Sequence, residues 1–567
     1  MKSSRIASMY LAVLLGASLP LAAQTKPTIK SNGIVNAASF AGPGMPNFPI
    51  AQGSIFNIFG SGLGPATLVQ SSGFPVPTAL AGTSMTVTVG SVVVKPLILY
   101  TSDGQIAAVL PSATPTGTGS LVITYNGQAS ASTLFSVVPN SFGVFTLNSA
   151  GTGPGIITDA SKKVNGIDTV VTKTTAMNPG DVGIIWGTGL GPVAGDESAG
   201  ALPGDMPSIP VQVYVGGLPA SLTYRGRSGC CSGLDQIAFV VPAGILGCNL
   251  PVEVQIGNVI SNFPSIAVAA TGNVCSDPNS LSPADQTRLS GIGSVSVGSI
   301  TLTRTNISLP LPPPLPTVSN TSDIGAGLFE KFTYAQYQVF SNPTNYTLPG
   351  TCTVFDYTGT TATYIDPTQP TVIDAGTSLA VTGPDGAATL IKGSTTGLQY
   401  SKTLGNVTTG LASTTPLYLD TGAYTVSGTG GPGVGAFSAA IMLPAALVWT
   451  NESTTSTVTR SQGQTLTWTG GDPSGSVLIL GFSTVTGANA GREFLCVAPT
   501  VSGTFTIPPA VLLALPASTS TAIPTSAAAV TGALGVGYTR TNSFTAPGID
   551  FGTITGLGLN LTTVSYK

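Results

Sequence analysis

Residues 211–217 read VQVYVGG, which puts Val211, Val213 and Val215 on one face of an extended strand and Gln212 and Tyr214 on the other. IAFVV at 237–241 is apolar without a break, the pattern of a strand covered on both faces. YNGQ at Tyr125–Gln128 marks a two-residue hairpin, because Asn-Gly tolerates the positive φ angles of a type I′ turn. The short-period pattern continues toward the C-terminus in SVSVGSITLTRT, FEKFTYAQYQVF, TSLAVTG, YTVSG, LVWTN, TLTWTGG, VLILGF and TFTIPPAVLLALP. Each is predicted as strand, with turns at Gly and Pro. One short helix is predicted at SPADQTRL, with Ser282 as N-cap, Pro283 in the first turn and Asp285 near the positive helix end. SLPLPPPLPTVSN, residues 308–320, reads as a polyproline-like connector.

The chain also repeats itself. GSIFNIFGSGLGPA from Gly53 and GDVGIIWGTGLGPV from Gly180 align without a gap, pairing Phe59 with Trp186, Gly60 with Gly187, Gly62 with Gly189 and Gly64 with Gly191. GQIAAVLP and DQIAFVVP then match, Gln105 opposite Gln236, and each runs on into a further strand and turn. Residues 32–139 and 140–272 therefore read as two copies of one unit of roughly seven short strands, as in a β-sandwich.

The order G-x-x-x-x-I-[FW]-G-[ST]-G-L-G-P, then Q-I-x-x-x-[LV]-P, then a closing strand resembles the immunoglobulin-like repeat of exported proteins of Solibacter and related soil bacteria. The opening NAASF of that repeat is here Asn36–Phe40. More distantly the pattern is similar to the IPT/TIG immunoglobulin-like fold. The resemblance implies a fold and an extracellular setting, and it carries no catalytic residues. Residues 275–567 leave the repeat and read as a C-terminal β-rich domain, one sandwich or two packed together. Their segments LVWTN, TLTWTGG and FLCVAP are similar to C-terminal regions of proteins from the same bacteria. The expected fold class is all-β: tandem immunoglobulin-like β-sandwiches followed by a further β-sandwich region.

Composition narrows the chemistry. Lys2 and Arg5 precede the apolar stretch IASMYLAVLLGASLPLA, so residues 1–23 are predicted to be a secretory signal peptide. No later run is long and apolar enough to predict a membrane span after signal cleavage. Charged residues make up 7% of the chain, against about 25% in ordinary soluble proteins. With 19 Lys and Arg spread along 567 residues there is no basic stripe, so nucleic acid is not an expected partner. Histidine is absent, which excludes Ser-His-Asp triads, Cys-His dyads and His-ligated zinc. No cofactor is expected.

The six cysteines form an even set, which in an exported chain points to disulfides. Cys352 and Cys496 are predicted to pair, closing a loop of about 145 residues for which the chain-entropy model gives roughly 4–5 kcal/mol. The other four are expected to pair as Cys231 with Cys248 and Cys230 with Cys275. The alternatives are a vicinal Cys230–Cys231 bridge or a thiolate metal site.

GSGLGP, Gly60 to Pro65, has the glycine spacing of a phosphate loop, but no helix and no lysine follow it. Its twin at Gly187, Gly189 and Gly191 marks it as a strand-ending turn. Asp196, Glu197 and Asp205, in the insert GDESAGALPGD of the second unit, are the calcium candidates, though their spacing matches no EF-hand. Trp186, Trp449 and Trp468 are candidates for a sugar-stacking platform, with Trp186 and Trp468 predicted as core instead, and Tyr334, Tyr337, Tyr346, Tyr357 and Tyr364 form a looser group able to lie on a surface. The function these features imply is a non-enzymatic, exported protein that binds or spaces at the cell surface. Its partner would be a polysaccharide, a matrix component or a surface protein. The alternative is a carboxylate-dependent glycan hydrolase or lyase on the C-terminal domain.

Overall fold

The strand Ile55–Ser61 alternates as its sequence demands, with Phe56 and Ile58 turned inward and Phe59 half-buried on the other side. In the computed structural model it sits in a sheet ordered Thr28–Asn36, Ile55–Ser61, Gln105–Val109, Leu97–Thr101, Val69–Gln70. A second sheet, built on Thr133–Val138, Gly117–Tyr125 and Thr83–Val89, lies against it. Phe56, Ile58 and Ile106 from one sheet meet Val87, Leu121, Ile123 and Phe135 from the other in a single core. Each such side chain contributes about 1.5–3 kcal/mol by leaving water. The structure describes residues 26–278, 280–309, 318–340, 348–358, 370–393, 400–409, 414–485, 490–519 and 531–567. The predicted signal peptide and residues 310–317 of the connector lie outside them. The chain is nearly all β, with 54% strand and 6% helix.

The internal repeat extends to the pairing register. Ile58 faces Ile106 and Phe59 faces Gln105 in the first copy. In the second, Ile185 faces Ile237 and Trp186 faces Gln236. Both copies also carry a register shift at the same place, between Ile98 and Tyr100 and between Leu222 and Tyr224. They differ where Lys95-Pro96 separates the short strand Val92–Val94 from Leu97–Thr101, so that the two lie in different sheets. Proline has no N–H to donate to a ladder. The second copy lacks this break, and Leu218–Arg227 pairs first with Val211–Val215 and then with Asp235–Val240, which joins both sheets into one of 11 strands.

Beyond the repeat, a 14-stranded sheet runs from Cys352–Thr358 through Ser476–Thr484, Phe551–Thr563, Ser294–Leu309 and Val318–Thr333 to Phe437–Leu443. It buries two cores. One gathers Trp449, Trp468, Ile479, Phe494 and Tyr566, and the other Ile300, Phe329, Leu379, Tyr424 and Ile441. The helix Pro283–Ile292 forms with Ser282 Oγ accepting from the N–H of Asp285, and Gly293 closes it at φ 80°. Two predicted strands are partly helical instead. In FEKFTYAQYQVF, the Thr333 hydroxyl accepts from Gln336 N–H while the Gln336 side chain accepts from Thr333 N–H, and this capping box starts a helix at Tyr334–Val339. In TFTIPPAVLLALP, Pro509 occupies the first turn of a helix at Pro509–Leu513.

The disulfides are Cys352–Cys496, Cys248–Cys275 and Cys230–Cys231. This corrects the expected Cys231–Cys248 and Cys230–Cys275 pairing. The strand Gly247–Ile256 carries Cys248 past Cys275, whereas Cys230 and Cys231 sit together in the loop after Leu218–Arg227. Further ties link the parts of the chain. Asn47, in the first unit, accepts from Arg492 Nη2 at 2.9 Å, and Gln338 Oε1 accepts from Lys173 N–H at 2.9 Å.

Glu253 is out of place in this interior. It lies on Gly247–Ile256 opposite Tyr214, it is 4% exposed, and its Oε2 finds no hydrogen-bond partner among the described residues. Burial pushes its carboxyl well above the ordinary value of 4.5. The folded state therefore holds a proton that the unfolded chain releases, and stability falls as pH rises above the unfolded value. Glu253→Gln should raise the melting temperature at about pH 8 and change it little at about pH 4, as read by calorimetry at both.

Candidate ligand-binding face

The glycine-rich turns bind an anion, and that anion is the chain's own. Asp235 Oδ2 accepts from the N–H groups of Gly189 and Leu190 at 2.8 Å each. In the first copy, Gly62 N–H points to Asp103 Oδ1 at 3.2 Å. Gly189 and Gly62 sit at φ 108° and 65°, in the left-handed region that exposes these amides to a carboxylate. Gly60 and Gly187 allow close strand approach, since a Cβ would lie 2.1 Å from Thr28 O and 2.2 Å from Phe142 Cζ respectively. A Cβ on Gly64 would meet Thr101 Oγ1 at 2.2 Å, and the carbonyl of Gly191 accepts from Arg227.

The calcium candidates do not converge. Glu197 is drawn inward, where its Oε2 accepts from Ser112 N–H at 2.7 Å and its Oε1 lies 3.7 Å from Arg227. Asp196 is occupied with Ser198 N–H at 2.9 Å, and Asp205 with Arg225 N–H at 2.9 Å. Among the described residues no group of three or more His, Cys, Asp or Glu side chains is placed to hold a metal ion. Arg227, 1% exposed, pairs with Asp235 and donates to the carbonyls of Gly53 and Gly191 at 2.6 and 3.0 Å. Burial lifts the Asp235 carboxyl, against the pull of Arg227 and the two amides. Two carboxylates of the C-terminal region are similarly engaged, Asp323 by Arg304 and Asp356 by Arg492, each at 2.7 Å.

Functional groups do recur on the outer face of each unit's sheet. In the first, Phe59, Gln105 and Tyr100 project opposite the core side chains Ile58 and Ile106, all three half-buried. Gln105 Nε2 donates to the Tyr100 hydroxyl at 2.7 Å. In the second, Trp186, Gln236 and Tyr224 occupy the equivalent register positions and are again half-buried. Trp186 Nε1 donates to Thr158 Oγ1 at 3.0 Å, and the Tyr224 hydroxyl donates to Arg227 O at 2.6 Å. Burial raises both tyrosine hydroxyls above their ordinary value, so they remain protonated donors at neutral pH. Trp186 is thus not the core residue expected of it, while Trp449 and Trp468 are buried. Of the tyrosine group, Tyr334 and Tyr337 are buried rather than on a surface. Tyr346, Tyr364 and the side chain of Tyr357 lie outside the described residues. Tyr100 and Tyr224 do not align in sequence, because the loop between tyrosine and glutamine is longer in the second copy, where it holds Cys230 and Cys231; their shared bulge reveals the match.

Tandem all-β sandwiches, each with an aromatic, an amide and a phenol on one sheet face, describe the class of protein. No protein-family model matches the chain, and no curated protein matches it. Among solved structures, the plexin A4 extracellular region is 15% identical over 46% of this chain and 19% of that one, with a TM-score of 0.15. The chain spans less than a third of either plexin region it matches. Domains 5–6 of the S-layer protein SbsC are 12% identical over 43% of this chain and 99% of that one, with a TM-score of 0.15. A Bacteroides ovatus SGBP-B in complex with a mixed-linkage heptasaccharide is 10% identical over 85% and 98%, with a TM-score of 0.11. Similarity at this level carries no argument about the chain, and the fold rests on its own sheet order and registers.

Removing the Arg227 cation strands Asp235 and Glu197 without a counter-charge. Arg227→Met should cost about 3–5 kcal/mol, seen as a lower urea midpoint for the first unfolding transition. Adding Asp235→Asn should recover part of that loss, because a neutral amide needs no counter-ion.

Proposed function

We propose that the chain is an exported, non-enzymatic binding protein whose two sandwiches, about residues 32–139 and 140–272, recognise a neutral polysaccharide at or outside the cell surface. The observation that carries this reading is the aromatic–glutamine–tyrosine set at matched register positions in both copies. An aromatic ring stacks on the C–H face of a sugar, while a neighbouring amide and phenol offer hydrogen bonds to its hydroxyls. A net charge of -3 and 7% charged residues suit an uncharged ligand better than a polyanion. Three disulfides support an oxidising compartment, as does the signal-like N-terminus. Among the described residues no helix is long and apolar enough to cross a membrane. Two copies of one site along one chain give avidity for a repeating ligand.

A glycan array and pull-down on insoluble polysaccharides test this with the mature chain. Retention on at least one neutral glycan is expected, with Phe59→Ala and Trp186→Ala each weakening it about tenfold and the double variant about a hundredfold. Retention of no neutral glycan, or full retention by a folded double variant, would overturn the reading.

A further inference from the structure

A lysine and an asparagine of the second sandwich stand in line with an aspartate just beyond its C-terminal end. Lys173 lies in the segment between the strands Ile167–Val170 and Val182–Thr188, and is 3% exposed. Its Nζ is 3.1 Å from Asn249 Oδ1 and 5.6 Å from the centre of the Tyr337 ring. Asn249 Nδ2 donates to Asp277 Oδ2 at 3.2 Å, and Asp277 Oδ1 accepts from Cys248 N–H at 2.7 Å. The backbone holds the lysine on both sides: its N–H donates to Gln338 Oε1, and its carbonyl accepts from Cys275 N–H at 3.1 Å. The Cys248–Cys275 disulfide fixes the other two members, since Asn249 follows one cysteine and Asp277 lies two residues beyond the other.

We propose that Lys173 and Asn249 join in an intramolecular isopeptide bond, with Asp277 carrying the proton. An amine nitrogen already at contact distance from a carboxamide needs little further motion to attack it. The Nζ lone pair adds to Cγ of Asn249, and the carbonyl electrons move onto Oδ1. Asp277 shuttles a proton from Nζ to Nδ2, the Cγ–Nδ2 bond breaks as the carbonyl re-forms, and ammonia leaves. Lysine amine plus asparagine amide gives a secondary amide plus ammonia, with no oxidant or cofactor. The surroundings favour the required protonation states. Burial lowers the Lys173 amine to about 8, which makes its neutral nucleophilic form accessible. Burial also raises the Asp277 carboxyl, so it holds a proton more readily than an exposed aspartate. The product ties the segment leading into Val182–Thr188 to the strand Gly247–Ile256 by a bond that reductants leave intact.

Intact-mass measurement on the folded mature chain after disulfide reduction decides the matter. The expected mass is one ammonia below that of the sequence, with the peptides bearing Lys173 and Asn249 recovered as one branched species. Lys173→Arg and Asn249→Ala should each restore the ammonia, and Asp277→Ala should abolish or greatly slow the loss while circular dichroism still reports the β fold. A wild-type chain at full mass would overturn the bond, whatever the variants do. So would an ammonia loss that maps to a succinimide at Asn32, Asn126 or Asn165, each of which precedes glycine. Undiminished formation in folded Asp277→Ala would remove Asp277 from the reaction.

Discussion

A guanidinium that is almost wholly withdrawn from water organises the first half of the chain. Moving a charge of this size into the interior costs several kcal/mol unless counter-charges and acceptors surround it. Arg227 finds them in both units at once: Asp235 and Glu197 from its own, and the carbonyl of Gly53 from the other. Asp235 in turn uses its second oxygen for the amides of Gly189 and Leu190. The glycine-rich turn, the acidic insert and the junction between sandwiches are thus one hydrogen-bonded network. Thr188 extends it, accepting from Ile55 N–H at 2.8 Å and donating to Gly233 O at 2.6 Å.

That network explains what could and could not be read from the residues alone. The repeat was legible because a strand's register is set by alternation, and alternation is local: Phe59 and Trp186 align in sequence and then face equivalent glutamines in space. Glu197 was legible only as an acid in a glycine-rich insert. Its partner is 30 positions along the chain, and nothing in the intervening pattern announces the contact. The same holds for Arg227 and Gly53, 174 positions apart. Trp186 was misread because a residue opposite an apolar partner in a repeat is not thereby in the core; both members of the pair face outward. The helix at Tyr334–Val339 was missed because its tyrosines favour strands, and a capping box overrode them.

The second sandwich is the hub of the molecule. It meets the first through Arg227, and it meets the C-terminal region through the Lys173–Gln338 hydrogen bond. The first unit reaches the C-terminal region independently through Asn47 and Arg492. Three contacts around a closed path restrain the parts far more than two domains joined by one linker, for which relative motion is the ordinary expectation. If the two aromatic faces bind as proposed, such a frame would restrain their separation, which matters when a repeating polymer must be met at two points.

Sparse charge takes on a different meaning in this light. Arg227, Asp235, Glu197, Arg492, Asp323 and Lys173 are all buried, so some of an already small set of charges lie inside, holding segments together. The surface is correspondingly sparse in charge and rich in Thr, Ser, Asn, Gln and backbone. Such a surface exerts little long-range steering on ions or nucleic acids. What it can do is offer short-range hydrogen bonds and a few aromatic planes to a ligand equally rich in hydroxyls and equally poor in charge. Low charge overall and the burial of several of the charges at junctions act in the same direction, and both suit the uncharged polymer proposed as its partner.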